Sequence, residues 1–229
     1  MHGYKHLNMK KILLLVGALL ALSASCSDNR EAPLEPGEFL IEGRLPANRY
    51  DSAVLYLVPM QGPQPRPVDS VFVNADGTFS FRGNVEQMAV LRLDYHYRFG
   101  IQELLVVTEP GHTKVILDSI SSAQGTPQND ALQEWKEHQE KVISAGVMLN
   151  KLRKQIGSDA EEFIAKCDSV REEAGEFNYQ WLKSVGRKTV SIFINKIYSG
   201  KLDSIRRAEL NELLIDTVDY SKPQPGFRK

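Results

Sequence analysis

The reactive side chains in this 229-residue sequence are two cysteines, Cys26 and Cys167, and five histidines. The cysteines stand far apart and no Cys-x-x-Cys occurs, which excludes a self-contained dithiol redox centre. Cys167 falls between Phe163 and Val170 at helical spacing, where cysteine acts as a small hydrophobe, so packing is its expected role. Tyr95-His96-Tyr97 is the most conspicuous polar-aromatic cluster and, with His112, is the candidate ligand-contact or metal site. His138 sits among Glu134, Lys136, Glu137 and Glu140, the composition of a solvated helix face. Asp69-Ser70 and Asp118-Ser119 have the residue types of hydrolase pairs, but no nucleophile elbow, metal-ligand spacing or phosphate-cradling glycine loop accompanies them. At strand ends such residues cap turns. No catalytic residue, metal or cofactor is expected.

Composition narrows the class further. With 42% hydrophobic and 25% charged residues, 16 glycines and 11 prolines, the chain is neither collagen-like nor low in complexity, and it can bury a core. A net charge of -1 gives no electrostatic reason for nucleic acid as a partner. The N-terminus differs from the rest. Lys10 and Lys11 precede an unbroken run of apolar residues and glycine from Ile12 to Leu22, and Ser23-Ala24-Ser25 follows. As a helix that run spans about 16 Å, against a hydrocarbon core of about 30 Å, so residues 1–25 read as a secretory signal peptide rather than a membrane span. Met1 and Met9 are both candidate starts.

The segment Leu22-Ser23-Ala24-Ser25-Cys26 resembles the lipobox of bacterial lipoproteins, with the leucine one position further out than usual. The resemblance implies diacylation of the Cys26 sulfur, cleavage before it and acylation of the new amine. Several acyl chains give stable anchoring where one gives only marginal binding. Asp28, second after the cysteine, differs from the inner-membrane retention signal, in which Asp stands next to it, and this implies outer-membrane placement on either the periplasmic or the cell-surface face. Residues 26–37, with Pro33 and Pro36, read as an extended tether. Removal of residues 1–25 leaves 25 basic and 29 acidic residues, so the mature chain is mildly acidic.

The elements that must position the remaining residues fall into two groups. Between 38 and 122, short β-rich runs alternate with Gly, Pro and Asn/Asp punctuation. Seven strands are expected, at 39–44, 53–58, 68–73, 78–82, 88–94, 102–107 and 113–118, with Asp76-Gly77 as the turn of a hairpin and Phe79 and Phe81 on one face. From 123 to 216 the period is helical. Trp135, Val142, Leu149, Leu152 and Ile156 mark one long helix opened by Pro127, and Phe163, Cys167, Val170, Ala174, Phe177, Trp181 and Val185 mark a second. Ser158-Asp159-Ala160-Glu161 has the form of a capping box, and the short link requires an antiparallel hairpin. Shorter helices follow at 189–198 and 204–214, and residues 217–229 form a tail. The expected fold is α+β: an N-terminal antiparallel β-sandwich of about seven strands, then a helical region with a long antiparallel helical hairpin. Trp135 and Trp181 form the hairpin core or part of a dimer interface.

Phe39-Leu40-Ile41-Glu42-Gly43-Arg44-Leu45, Val54-Leu55-Tyr56-Leu57, Val68-Asp69-Ser70-Val71, Asp76-Gly77-Thr78-Phe79-Ser80-Phe81-Arg82-Gly83 and Gly125-Thr126-Pro127-Gln128-Asn129-Asp130 occur in this order. Together they resemble a domain of unknown function that commonly forms the N-terminal part of lipid-anchored, thioredoxin-like (TlpA-type) thiol:disulfide oxidoreductases. The stretch ending in Val190 to Leu214 resembles the linker of those proteins. Their Trp-Cys-x-x-Cys motif has no counterpart here, so their redox chemistry is not expected of this chain. The expectation is a lipid-anchored, non-catalytic binding or scaffolding module. The alternative is an accessory to envelope thiol-disulfide exchange that docks a separate thioredoxin-like protein. The partners implied are the membrane through the lipid on Cys26, other envelope proteins, and a second copy through the helical hairpin.

Overall fold

The computed structural model describes residues 33–47, 49–60, 66–94 and 100–216. Eight strands occur among them: β1 (Phe39–Arg44), β2 (Val54–Pro59), β3 (Asp69–Phe72), β4 (Thr78–Gly83), β5 (Met88–Leu93), β6 (Leu104–Val107), β7 (Gly111–Ile116) and β8 (Ser122–Gln124). They form two four-stranded sheets, ordered β4-β1-β7-β8 and β3-β2-β5-β6. Ile41, Phe79, Phe81 and Val115 of the first sheet and Leu55, Leu57, Leu91 and Val106 of the second share one buried cluster, the sandwich interior. Alternation places them there: in β4, Phe79 and Phe81 are buried while Thr78 and Ser80 are exposed.

Three features differ from the sequence expectation. β8 is an eighth strand, three residues long with Ala123 as its one buried member, too short to carry a period. β1 and β7 pair in parallel, Ile41 opposite Thr113, whereas the other pairings are antiparallel; side-chain alternation does not encode strand direction. Finally, β3 and β4 do not pair as a hairpin. The Asp76-Gly77 turn forms, with Gly77 at φ +85° and its N–H donating to the Asn74 carbonyl at 2.8 Å, but it links one sheet to the other. Leu45 N–H donates to the Gly77 carbonyl and β4 runs antiparallel to β1, which turns both phenylalanines inward. Gly43 stands opposite Phe79, where a Cβ would meet the ring at 2.3 Å, so glycine lets the ring lie across β1.

The helices are α1 (Pro127–Ile156), α2 (Glu161–Val185), α3 (Thr189–Tyr198) and α4 (Ser204–Leu213), with a 3₁₀ turn at Ser199–Lys201. Pro127 occupies the first helical position, as its missing N–H and fixed φ favour. The capping box at Ser158 does not form. Ser158 Oγ bonds Asp159 Oδ1 at 3.0 Å, Ala160 is the cap residue, and Glu161 and Glu162 place negative charge in the first turn of α2. Asp203 caps α4, accepting from the N–H groups of Ile205 and Arg206 at 2.9 Å each. α1 and α2 pair antiparallel, and a second core gathers at their base. Met88 and Val107 supply it from the sandwich, Leu132, Trp181, Leu182, Val190, Ile194 and Leu210 from the helices.

Candidate functional site

α1 begins by sealing the sandwich edges. β6 and β8 are edge strands, whose unpaired backbone groups invite association unless covered. Asn129, fully buried, covers the first: its Oδ1 accepts from Val107 N–H at 2.9 Å and its Nδ2 donates to Val107 O at 2.8 Å, with Thr126 and Thr113 hydroxyls at 2.8 and 3.2 Å. Gln133 Oε1 accepts from Ala123 N–H on β8 at 3.3 Å, and Lys136 Nζ bonds the Ser121 carbonyl. The cap of α1 comes from a distance, because buried Glu109 accepts from the N–H groups of Gln128 and Asn129 at 2.6 and 3.0 Å. A small cavity of about 140 Å³ lies beside Leu105 and Trp135, well below the roughly 300–1,000 Å³ of ligand pockets.

Beyond this anchorage the two long helices leave the body as an arm. No residue from Gln133 to Glu173 is buried, although α1 and α2 stay paired. α4 holds α2 only near its far end, through Arg206 to Glu176 at 2.7 Å and Lys183 to Glu209 at 2.7 Å. The 16 residues of α1 after Glu140 therefore extend about 24 Å, paired among the described residues with α2. Large apolar side chains are exposed along it: Met148 at 71%, Ile143 at 66%, Val147 at 54% and Ile164 at 48%. Met148, Leu149 and Leu152 face Lys166, Ser169 and Val170 across an open groove of about 380 Å³. Exposed apolar surface of this kind marks interaction sites.

Cys26 and the Tyr95-His96-Tyr97 cluster lie outside the described residues. His112, on β7, contacts the carboxylate of Glu42 on neighbouring β1. Among the described residues no group of three or more His, Cys, Asp or Glu is placed to hold a metal ion, and no helix is long and apolar enough to cross a membrane. Cys167 is a half-buried free thiol on α2. Asp69 Oδ1 accepts from Ser70 N–H at 2.8 Å and Asp118 Oδ1 from Ile120 N–H at 2.7 Å, local caps of the expected kind. Trp135 and Trp181 do pack together, ring centroids 6.5 Å apart, with Trp135 Nε1 donating to buried Asn178 at 2.7 Å.

His138 corrects the sequence reading. It is half-buried rather than solvated, stacked on Phe177 with ring centroids 3.6 Å apart and planes 4° from parallel. Burial holds its pKa below the ordinary imidazole value of about 6.5; Lys141 adds to this and Glu173 opposes it. The unfolded chain thus takes up the proton more readily, so the stabilisation is complete above pH ~6.5 and is lost as pH falls through the lower folded value. Replacing His138 by leucine should flatten the pH dependence of the melting temperature between about pH 7.5 and 5.5. An unchanged slope would show that the ring is not the group responsible.

Residues 39–132 match the family model described as a domain of unknown function (DUF4369). That span holds all eight strands and continues into α1 as far as Leu132, so it includes Asn129 but not the arm. No curated protein and no solved structure matches the chain.

Proposed function

We propose that this protein is a lipid-anchored component of the outer membrane, attached through Cys26, in which the sandwich serves as a base and the helical arm as a non-catalytic binding or scaffolding surface for envelope proteins. The observation that carries the reading is the arm itself. Its apolar residues are exposed on paired helices that the body does not cover, while the same helices are tightly packed at their base. Folding alone gives no reason to extend a hairpin about 24 Å past its last core contact and leave a methionine 71% exposed there.

Two measurements test the two halves of this reading. Cells fed labelled palmitate should incorporate it into the wild-type chain and not into Cys26→Ala; label missing from the first or retained in the second overturns the anchoring. A photo-crosslinking residue at Met148 or Ile164, in intact cells, should give discrete adducts, whereas one at Ile205, 79% exposed on α4, should not. Equal adduct formation at all three positions overturns the assignment to the arm.

A further inference from the structure

We propose that the occupant of the arm groove is a second copy of this chain, seated about a two-fold axis parallel to the arm so that each α1 faces the partner's α2. The proposal rests on the arm being an interaction surface and names its partner.

Charge supplies the first reason. From Lys141 to Ile156, α1 carries Lys141, Lys151, Arg153 and Lys154 and no acid. From Glu161 to Glu176, α2 carries six acids against Lys166 and Arg171. One arm therefore holds a basic helix beside an acidic one, and a copy turned about an axis along the arm brings unlike helices together. An axis across the arm that set α1 on α1 would oppose four like charges on each side, and like-charge pairing suppresses such an arrangement. A two-fold interface must be self-complementary, as this pattern is.

Shape supplies the second. Met148, 71% exposed, lines the groove with Leu149, Leu152, Lys166, Ser169 and Val170, so the surface offers an exposed side chain and a hollow at the same height. With the axis along the arm, each Met148 meets the partner's groove, and the four helices alternate up and down as in an antiparallel bundle. The area suffices: two helices about 10 Å wide over about 24 Å cover about 500 Å² per copy, or about 1,000 Å² in all, the lower end of specific interfaces. The two arms then point the same way from their bodies.

The test uses the full chain in mild detergent, followed by sedimentation equilibrium. Wild type should dimerise reversibly. A chain with Lys141→Glu and Lys151→Glu, which cancels the net positive charge of α1, and one with Glu162→Lys and Glu173→Lys, which cancels the net negative charge of α2, should each lose roughly tenfold or more in self-affinity. Mixed in equal amounts, they should form a heterodimer. Met148→Glu alters a side chain already exposed in the single chain, so it should leave the helical circular dichroism unchanged and abolish the dimer. A wild-type chain that stays monomeric, a Met148→Glu chain that dimerises as before, or reversed chains that fail to pair when mixed each overturn the proposal. The crosslink at Met148 separates it from the broader reading. An adduct of twice the chain mass supports the second copy; an adduct of another mass overturns the second copy and leaves the arm as a docking surface; no adduct overturns both.

Discussion

Asn129→Leu should lower the unfolding free energy by about 3–5 kcal/mol, read as a fall in the urea midpoint at unchanged slope. The side chain is fully buried and does the work of a missing strand, since both backbone groups of Val107 on edge strand β6 end on its amide. Leucine has nearly the same size, so little cavity results. What changes is that Val107 N–H, Val107 C=O and the hydroxyls of Thr113 and Thr126 lose a partner inside the protein. The two hydroxyls still have each other at 3.2 Å, but each buried backbone group left without a partner costs about 1–3 kcal/mol, while a domain has only about 5–15 kcal/mol in total. Asn129→Asp separates the contributions, keeping an acceptor for Val107 N–H and removing the donors. Asn150→Leu, on the exposed arm, should change stability by no more than about 0.5 kcal/mol. Equal effects at 129 and 150 would mean that the edge is held by something other than this amide.

Asn129 also shows where sequence reading stops. An asparagine two residues after Pro127 looks like any polar residue in a first helical turn. Its role depends on β6 being an edge strand, so that the outward backbone groups of Val107, 22 positions upstream, have no strand partner, and pairing is not written in alternation. The same limit explains the corrected turn at Asp76-Gly77. The alternation of β4 put Phe79 and Phe81 on one face, and they are buried, but nothing local tells whether β4 joins β3 or β1. The long helices were legible because their apolar stripes run for many turns. His138 was misread because its partner comes from the other helix. Trp135 bonds Asn178, and His138, one turn further along α1, stacks on the adjacent Phe177, a pairing that the two apolar stripes alone do not specify. The arm groove was hidden for a related reason: Leu149, Leu152 and Val170 read as core positions, and among the described residues no third element lies over that seam.

The two cores meet at β5 and β6 and divide the strands residue by residue. Ala89, Leu91 and Val106 face the sandwich interior, while Met88 and Val107 face the helices. Such an arrangement permits the helical part to open while the sandwich persists, because each side keeps an apolar cluster of its own. Arm geometry is set in the second core, so a change there should reach the exposed residues without touching them.

Trp181→Ala should expose that division. The ring is 4% exposed, lies 6.5 Å from Trp135 at 47°, and donates its Nε1–H to the Ala131 carbonyl at 3.2 Å, which ties α2 to the start of α1. Truncation removes the largest side chain of the helical core and leaves a cavity that the surrounding helices fill only in part, a loss of about 3–5 kcal/mol. If the molecule unfolded as one cooperative unit, amide exchange would accelerate equally throughout. The two-core packing instead requires the loss to concentrate in α2, α3 and α4, with β1 and β2 nearly as protected as in wild type, because Ile41, Leu55 and Leu57 touch only the sandwich cluster. Uniform acceleration would refute separate opening. The arm should respond as well: with Trp181 gone, the angle between α1 and α2 is no longer fixed at the base, so crosslinking at Met148 should fall although Met148 keeps its exposure. A Trp181→Phe chain, which retains an apolar ring and loses only the bond to Ala131, should recover most of both the exchange protection and the crosslink, since packing rather than that single hydrogen bond holds the base of the arm together.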